Sequence, residues 1–164
     1  MLKSSKYPHG GFTLIELLVV VLIIGILTAI ALPQYKVVVD KANWSTMLDA
    51  VRALRNEQNF YYLINGSYAT NISDLSGSFP GDCTENGDCT KFSLSLGNGY
   101  VFGSLKKSKV GINNALVLWP NGAAECYAYS ASGARGRKLC VAIGGIKETE
   151  DDAACGGDCT IYSL

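Results

Sequence analysis

The chain has 164 residues and a mass of 17.5 kDa, room for one domain with one modest core. Its 14 Lys and Arg balance 14 Asp and Glu, which argues against a nucleic-acid binder relying on excess basic charge. Apolar residues make up 48% and charged residues 17%, so the composition is not that of a disordered tail.

The first eleven residues, MLKSSKYPHGG, contain two lysines, no acid and no apolar core. From Phe12 to Leu32 the chain is apolar apart from a single charge, Glu16. As a helix this stretch is roughly 31 Å long, about one hydrocarbon core. The basic flank predicts a cytoplasmic N-terminus. Thr28-Ala29-Ile30-Ala31 is only a weak match to an ordinary signal-peptidase site, and the helical pattern runs on beyond it.

Glu16 is the residue that needs explaining. A carboxylate deep in lipid costs on the order of 2.5–3.5 kcal/mol unless it reaches water or a positive partner. The nearest candidate partner is an α-amino group freed by cutting after Gly11, mostly charged at neutral pH. Glu16 is poorly placed to pair with the start of its own helix, so a neighbouring copy shifted along its axis is the expected donor. That chemistry implies lateral assembly.

Gly11-Phe12-Thr13-Leu14-Ile15-Glu16, followed by the long apolar helix, resembles the class III signal of type IV prepilins and pseudopilins. The resemblance covers Gly11 to about Ala42, including Gly25, Pro33, Gln34 and Tyr35. It implies that a membrane prepilin peptidase cuts between Gly11 and Phe12 and methylates the Phe12 amine. Glu16 would then be the fifth residue of the mature chain and serve subunit assembly. It also implies the pilin fold, of the α+β class. In that fold the C-terminal half of a long N-terminal helix packs on a small antiparallel sheet.

After Pro33 the apolar run becomes periodic. Trp44, Met47, Leu48, Val51, Leu54, Gln58, Tyr61 and Tyr62 recur at steps of three and four, which predicts an amphipathic helix. Lys36 and Asp40 are i,i+4 partners on it. Asn65-Gly66 is the stop signal. One helix is expected from Phe12 to Ile64, roughly 80 Å long. Gly25 and Pro33 are its weak points, where it is expected to kink or loosen when subunits pack. The expected organisation is a cleaved leader at 1–11, a transmembrane and filament-core half at 12–32, and an amphipathic half at 33–64. Residues 65–164 would complete a globular head with a loop, a sheet and a disulfide-rich end.

Residues 65–90 read as a loop, with Leu75 and Phe79 expected to pin it to the sheet. Its Asn71-Ile72-Ser73 sequon reads as chance. Strands are expected at Phe92–Leu96, Tyr100–Leu105, Ala115–Trp119 and Ala124–Tyr129, with Lys138–Ala142 as an edge strand. About four of these would form the antiparallel sheet.

The six cysteines, Cys83, Cys89, Cys126, Cys140, Cys155 and Cys159, favour disulfides and an oxidising compartment. Sequence does not choose among the pairings they permit. The simplest proposal is local: Cys83 with Cys89 across a turn, Cys126 with Cys140 between neighbouring strands, and Cys155 with Cys159. In many type IVa pilins a disulfide encloses a C-terminal loop region, and the stretch from Cys126 onward resembles that region.

Catalytic and metal readings are weak. The only histidine is His9, so removal of the leader leaves no histidine for Ser-His or Cys-His catalysis or for a metal. The acidic groups Asp82, Glu85, Asp88 and Glu148, Glu150, Asp151, Asp152, Asp158 lack an EF-hand pattern and read as solvated loops. Lys106, Lys107 and Lys109 read as a solvated turn rather than a DNA site. Tyr35, Trp44, Phe60, Tyr61, Tyr62 and Tyr68 read as core packing and subunit contact.

The expected function is that of a structural subunit of a type IV pilus, with no catalytic residues, no metal and no cofactor. Its partners would be further copies of itself in a helical filament, the prepilin peptidase, an inner-membrane assembly platform, and the membrane before assembly. It would begin as a single-pass inner-membrane precursor and end in an extracellular pilus. The nearest alternative is a major pseudopilin of a type II secretion system, ending in a periplasmic pseudopilus. A different class is a secreted, disulfide-linked soluble binding module with a mature start near Ala31.

Overall fold

The computed structural model describes residues 11–77, 82–150 and 159–164, with the side chains of 149 and 150 excepted. The chain divides into two units, one ending at Lys36 and the other beginning at Val37. One helix, α1, runs from Leu14 to Asn65 with Pro33 inside it. It ends where the sequence provides a stop: Gly66 takes a left-handed φ of 70° and donates its N–H to Tyr62 O at 2.8 Å.

In the first half of α1 none of the most apolar window is buried. In the second half Trp44, Met47, Val51, Leu54 and Gln58 are buried, as their spacing predicts. Leu48 and Tyr61 pack at the margin of the core, while Tyr62 lies outside it, stacked on Tyr68 with ring centroids 4.5 Å apart. The Gln58 amide forms a reciprocal clamp on the loop after the helix. It donates to Ala69 O at 2.9 Å and accepts from Ala69 N at 3.2 Å.

Among the described residues the remainder forms a six-stranded antiparallel sheet with two short α-helices. The strands are β1 (Phe92–Leu96), β2 (Val101–Leu105), β3 (Asn114–Leu118), β4 (Ala124–Tyr129), β5 (Ile146–Glu150) and β6 (Cys159–Ser163). Their order is β1-β2-β3-β4-β6-β5. Helix α2 (Lys107–Val110) joins β2 to β3, and α3 (Gly133–Ala142) lies between β4 and β5. Alternation assigns the two faces of the sheet. Phe92, Leu94, Val101, Leu105, Leu116 and Leu118 join the core that contains Met47, Val51 and Leu54. Ala115, Val117, Tyr127 and Ile161 form a second cluster on the other face.

Three expectations are corrected. Lys138–Ala142 is the end of helix α3, not an edge strand. Read over ten residues, Gly136, Leu139 and Cys140 are buried at helical spacing, with Arg137 and Lys138 exposed. The sheet has six strands rather than about four, because 146–150 and 159–163 supply two more. Finally, the carboxylate of Asp40 is held by Arg135 on α3 rather than by Lys36. Arg135 donates from Nε to Oδ2 at 2.7 Å and from Nη2 to Oδ1 at 2.6 Å.

Gly103 in the middle of β2 marks where α1 crosses the sheet. A Cβ there would lie 2.5 Å from Val51 Cγ2 and 3.2 Å from Met47 Cγ. Val51 is fully buried and branched at Cβ, so it has little room to turn aside. Gly103→Val is therefore expected to destabilise the head by about 1–3 kcal/mol through overpacking. Thermal melting of the detergent-solubilised chain reads this directly, and an unchanged midpoint would show that the helix yields at this crossing.

Candidate functional site

The N-terminal end of α1 is held by a reciprocal pair of side chains. Glu16 Oε2 accepts from the Thr13 backbone N–H at 2.8 Å and from Thr13 Oγ1 at 2.7 Å. In return Thr13 Oγ1 accepts from Glu16 N–H at 3.3 Å. This is a capping box, and its Thr-x-x-Glu signal stands in the sequence, although the charge of Glu16 alone does not reveal it. Glu16 thus does reach back toward the start of its own helix, to the peptide N–H one residue after Phe12. Both bonds end on Oε2, and among the described residues Oε1 has no partner.

Around this carboxylate the surface is apolar and open. Phe12 is 76% exposed, Leu14 89% and Ile15 72%. The large apolar residues from there to Leu32 are all exposed as well. An uncovered apolar surface of this extent needs lipid or another protein surface. A Cβ added at Gly11 or at Gly25 would meet nothing within 4 Å. Packing among the described residues therefore gives no reason for glycine at either position. Within the helix, the Thr28 hydroxyl is satisfied by the Ile24 carbonyl.

The head carries the cysteines. Cys83 is bonded to Cys89, and Cys126 to Cys140. The second bridge joins strand β4 to helix α3, not two strands as the sequence suggests, because Cys140 lies on a helix. Cys159 is also disulfide-bonded, while Cys155 lies outside the described residues.

The other singled-out groups are dispersed. Lys106 bonds Asp88 at 2.6 Å and the Cys89 carbonyl, which ties it to the disulfide loop. Asp82 and Glu85 are exposed on the same loop. Among the described residues no group of three or more His, Cys, Asp or Glu side chains is arranged to hold a metal. Asp151, Asp152 and Asp158, like Phe79, lie outside the described residues, as does the side chain of Glu150. Asn71 is exposed beside a single 3-10 turn, Ile72–Asp74, that buries Ile72. Trp44 belongs to the core, and Tyr35 and Phe60 are exposed.

The prokaryotic N-terminal methylation motif matches residues 8–32, which include Gly11, Phe12 and Glu16. A type IV major pilin protein PilE1 of Neisseria gonorrhoeae is 34% identical over 123 residues, covering 66% of this chain and 73% of its own length. The chain belongs to the type IV pilin family. A fimbrial protein of Neisseria meningitidis serogroup A is 32% identical over 114 residues, 66% of this pilin and 64% of that protein. Type II secretion system core protein G of Aeromonas hydrophila is 35% identical over 71 residues, 43% of this pilin and 50% of its own length. A second gonococcal PilE1 is matched over 51% of its length, so the alignments span from half to nearly three quarters of these relatives. The long helix on an antiparallel sheet is the architecture that the resemblance implies.

Proposed function

We propose that this pilin is the precursor of a major type IV pilus subunit. The prepilin peptidase cuts it between Gly11 and Phe12 and methylates the Phe12 amine. Residues 12–32 hold it in the inner membrane until an assembly platform passes it into a helical filament of its own copies. The observation that carries this reading is the exposed apolar half of α1 with one carboxylate at its N-terminal end. Glu16 uses Oε2 for its own helix and offers Oε1 to the Phe12 amine of an incoming copy. The first half of α1 becomes the filament core, the head faces water, and the subunit works structurally rather than as an enzyme. Gly25 and Pro33 let the helix loosen as neighbours pack. Pro33 removes one backbone hydrogen bond, and the glycine has no packing duty among the described residues.

A pseudopilus subunit is the second reading, favoured by the match to type II secretion core protein G. That match covers 43% of the chain, whereas the match to PilE1 covers 66%, which favours the pilus.

Mass spectrometry of sheared filaments tests the proposal. The expected product starts at Phe12 and carries one added methyl group. Gly11→Glu is expected to leave full-length precursor in the membrane fraction. A soluble mature chain starting near Ala31 would instead make this a secreted module and refute the filament reading.

A further inference from the structure

The second half of α1 flanks a groove of about 810 Å³ beside the β3–β4 end of the sheet. Trp44, Leu48, Leu118 and Ile143 supply apolar lining, and Lys41, Arg52 and Arg55 supply three positive charges. Arg55 gives one long hydrogen bond to Pro120 O at 3.4 Å. Among the described residues Lys41 and Arg52 have neither an ion-pair nor a hydrogen-bond partner. From Lys41 to Arg55 is roughly 21 Å along the helix axis, too far for these cations to close on one small anion. The groove therefore fits a protein surface that presents separate carboxylates rather than one small anion.

The same chain carries a complementary surface. The Cys83–Cys89 loop lies at the β1 edge of the sheet, away from the groove in strand order. It is held by its disulfide, by Gly87 N–H to Thr84 O at 2.9 Å, and by Leu94 N–H to Gly87 O at 2.7 Å. Lys106 neutralises Asp88, which leaves Asp82 and Glu85 exposed without a cation among the described residues. Cleavage after Gly11 removes Lys3 and Lys6 and leaves 12 Lys and Arg against 14 Asp and Glu, so the groove is a positive patch on a slightly acidic subunit.

We infer that the cationic groove of one copy takes the acidic Cys83–Cys89 loop of a second copy, an inference that rests on the filament reading above. The contact is heterologous, since groove and loop are different surfaces of one head. Repeated without closure, such a contact generates an open helical array, whereas a self-complementary patch would stop at a dimer. Opposite charges across it set register and reject misaligned neighbours.

Charge exchange in the full-length chain tests the inference, with leader cleavage followed in parallel. Lys41→Glu with Arg52→Glu is expected to cut sheared filament yield by about tenfold or more, because carboxylates then face carboxylates. Asp82→Lys with Glu85→Lys should do the same, and all four changes together should restore most of the yield. Wild-type yield from both double variants, or no rescue by the fourfold variant, would overturn the pairing. So would rescue by reversal of Glu148 and Glu150 in place of Asp82 and Glu85. Intact filaments with nucleic-acid binding lost would overturn it in favour of a nucleic-acid groove. A second measurement separates this inference from the filament reading. Carbodiimide treatment of membranes holding isotopically labelled and unlabelled copies should join Lys41 of one chain to Asp82 or Glu85 of another. If the wild-type chain makes no filaments the filament reading fails, while that crosslink still supports the docking and its absence overturns it.

Discussion

Glu16→Leu is expected to abolish surface filaments while leaving cleavage after Gly11 intact. The carboxylate lies far in sequence from every buried residue of α1, the first of which is Asp40, so the fold of the head should not register the change. Insertion should not suffer either, since leucine removes a charge that costs on the order of 2.5–3.5 kcal/mol in lipid. Two things are lost. The first is the capping box with Thr13, worth about 0.5–2 kcal/mol locally. The second is the acceptor for the Phe12 amine of the incoming copy. An amine buried without a counter-charge costs several kcal/mol, and methylation keeps it cationic. At about 1.4 kcal/mol for each factor of ten, a penalty of about 3 kcal/mol reduces assembly roughly a hundredfold. Glu16→Gln separates the two contributions, because a glutamine still accepts from Thr13 but cannot neutralise an amine. Filament yield by shearing is the measurement. Normal yield from Glu16→Leu with cleavage intact would require the docking mechanism to be abandoned.

The second large effect lies in the head. Arg135→Leu leaves the Asp40 carboxylate, whose side chain is only 2% exposed, with no counter-charge. Breaking a buried pair from one side costs about 3–5 kcal/mol. For a unit of this size that corresponds to a drop in melting temperature on the order of 10–20 °C. Arg135→Lys should recover only part of it, since an ammonium replaces the charge but not the fork that engages both carboxylate oxygens. Asp40→Leu with Arg135→Leu should lie much closer to wild type, because no charge is then stranded. Near-UV circular dichroism melts of the detergent-solubilised chain measure all three. A loss below about 1 kcal/mol from Arg135→Leu would mean that water reaches Asp40 and that the pair is in effect a surface contact.

Where local chemistry determined the structure, the sequence was sufficient. The period of the α1 stripe, the Asn65-Gly66 stop, and the alternating strands between Gly and Pro turns all carry their signal within a few residues. The failures have physical causes too. Lys138-Leu139-Cys140-Val141-Ala142 is too short a window to separate a strand from the last turns of a helix. The helical period appears only when Gly136 is included, and that glycine reads as a breaker. An added Cβ at Gly136 would lie 2.5 Å from Asn114 Oδ1, so the residue is set by close packing rather than by propensity. Strand β5 reads Ile-Lys-Glu-Thr-Glu, charged because it forms the outer edge of the sheet, where charge discourages further pairing. The partner of Asp40 lies 95 residues away, and a contact at that separation leaves no local trace. At the candidate site the sequence singled out Glu16 as the one charge in an apolar run. It did not show that Glu16 is already half engaged by Thr13.

The Cys126–Cys140 bridge also determines how load enters the head. Asp40 is the first buried residue of α1, and the Arg135 fork grips it from α3. Five residues further along α3, Cys140 is covalently fixed to β4, a strand flanked on both sides by β3 and β6. A pull along the helix therefore reaches an interior strand through one ion pair and one sulfur–sulfur bond, in parallel with the packing of Met47, Val51 and Leu54 on the sheet. Rupture at an edge strand could peel the sheet one strand at a time, whereas an interior strand must shear two ladders at once. The reversible link in this chain is the Asp40–Arg135 pair, which can part and re-form while the covalent link keeps α3 in register.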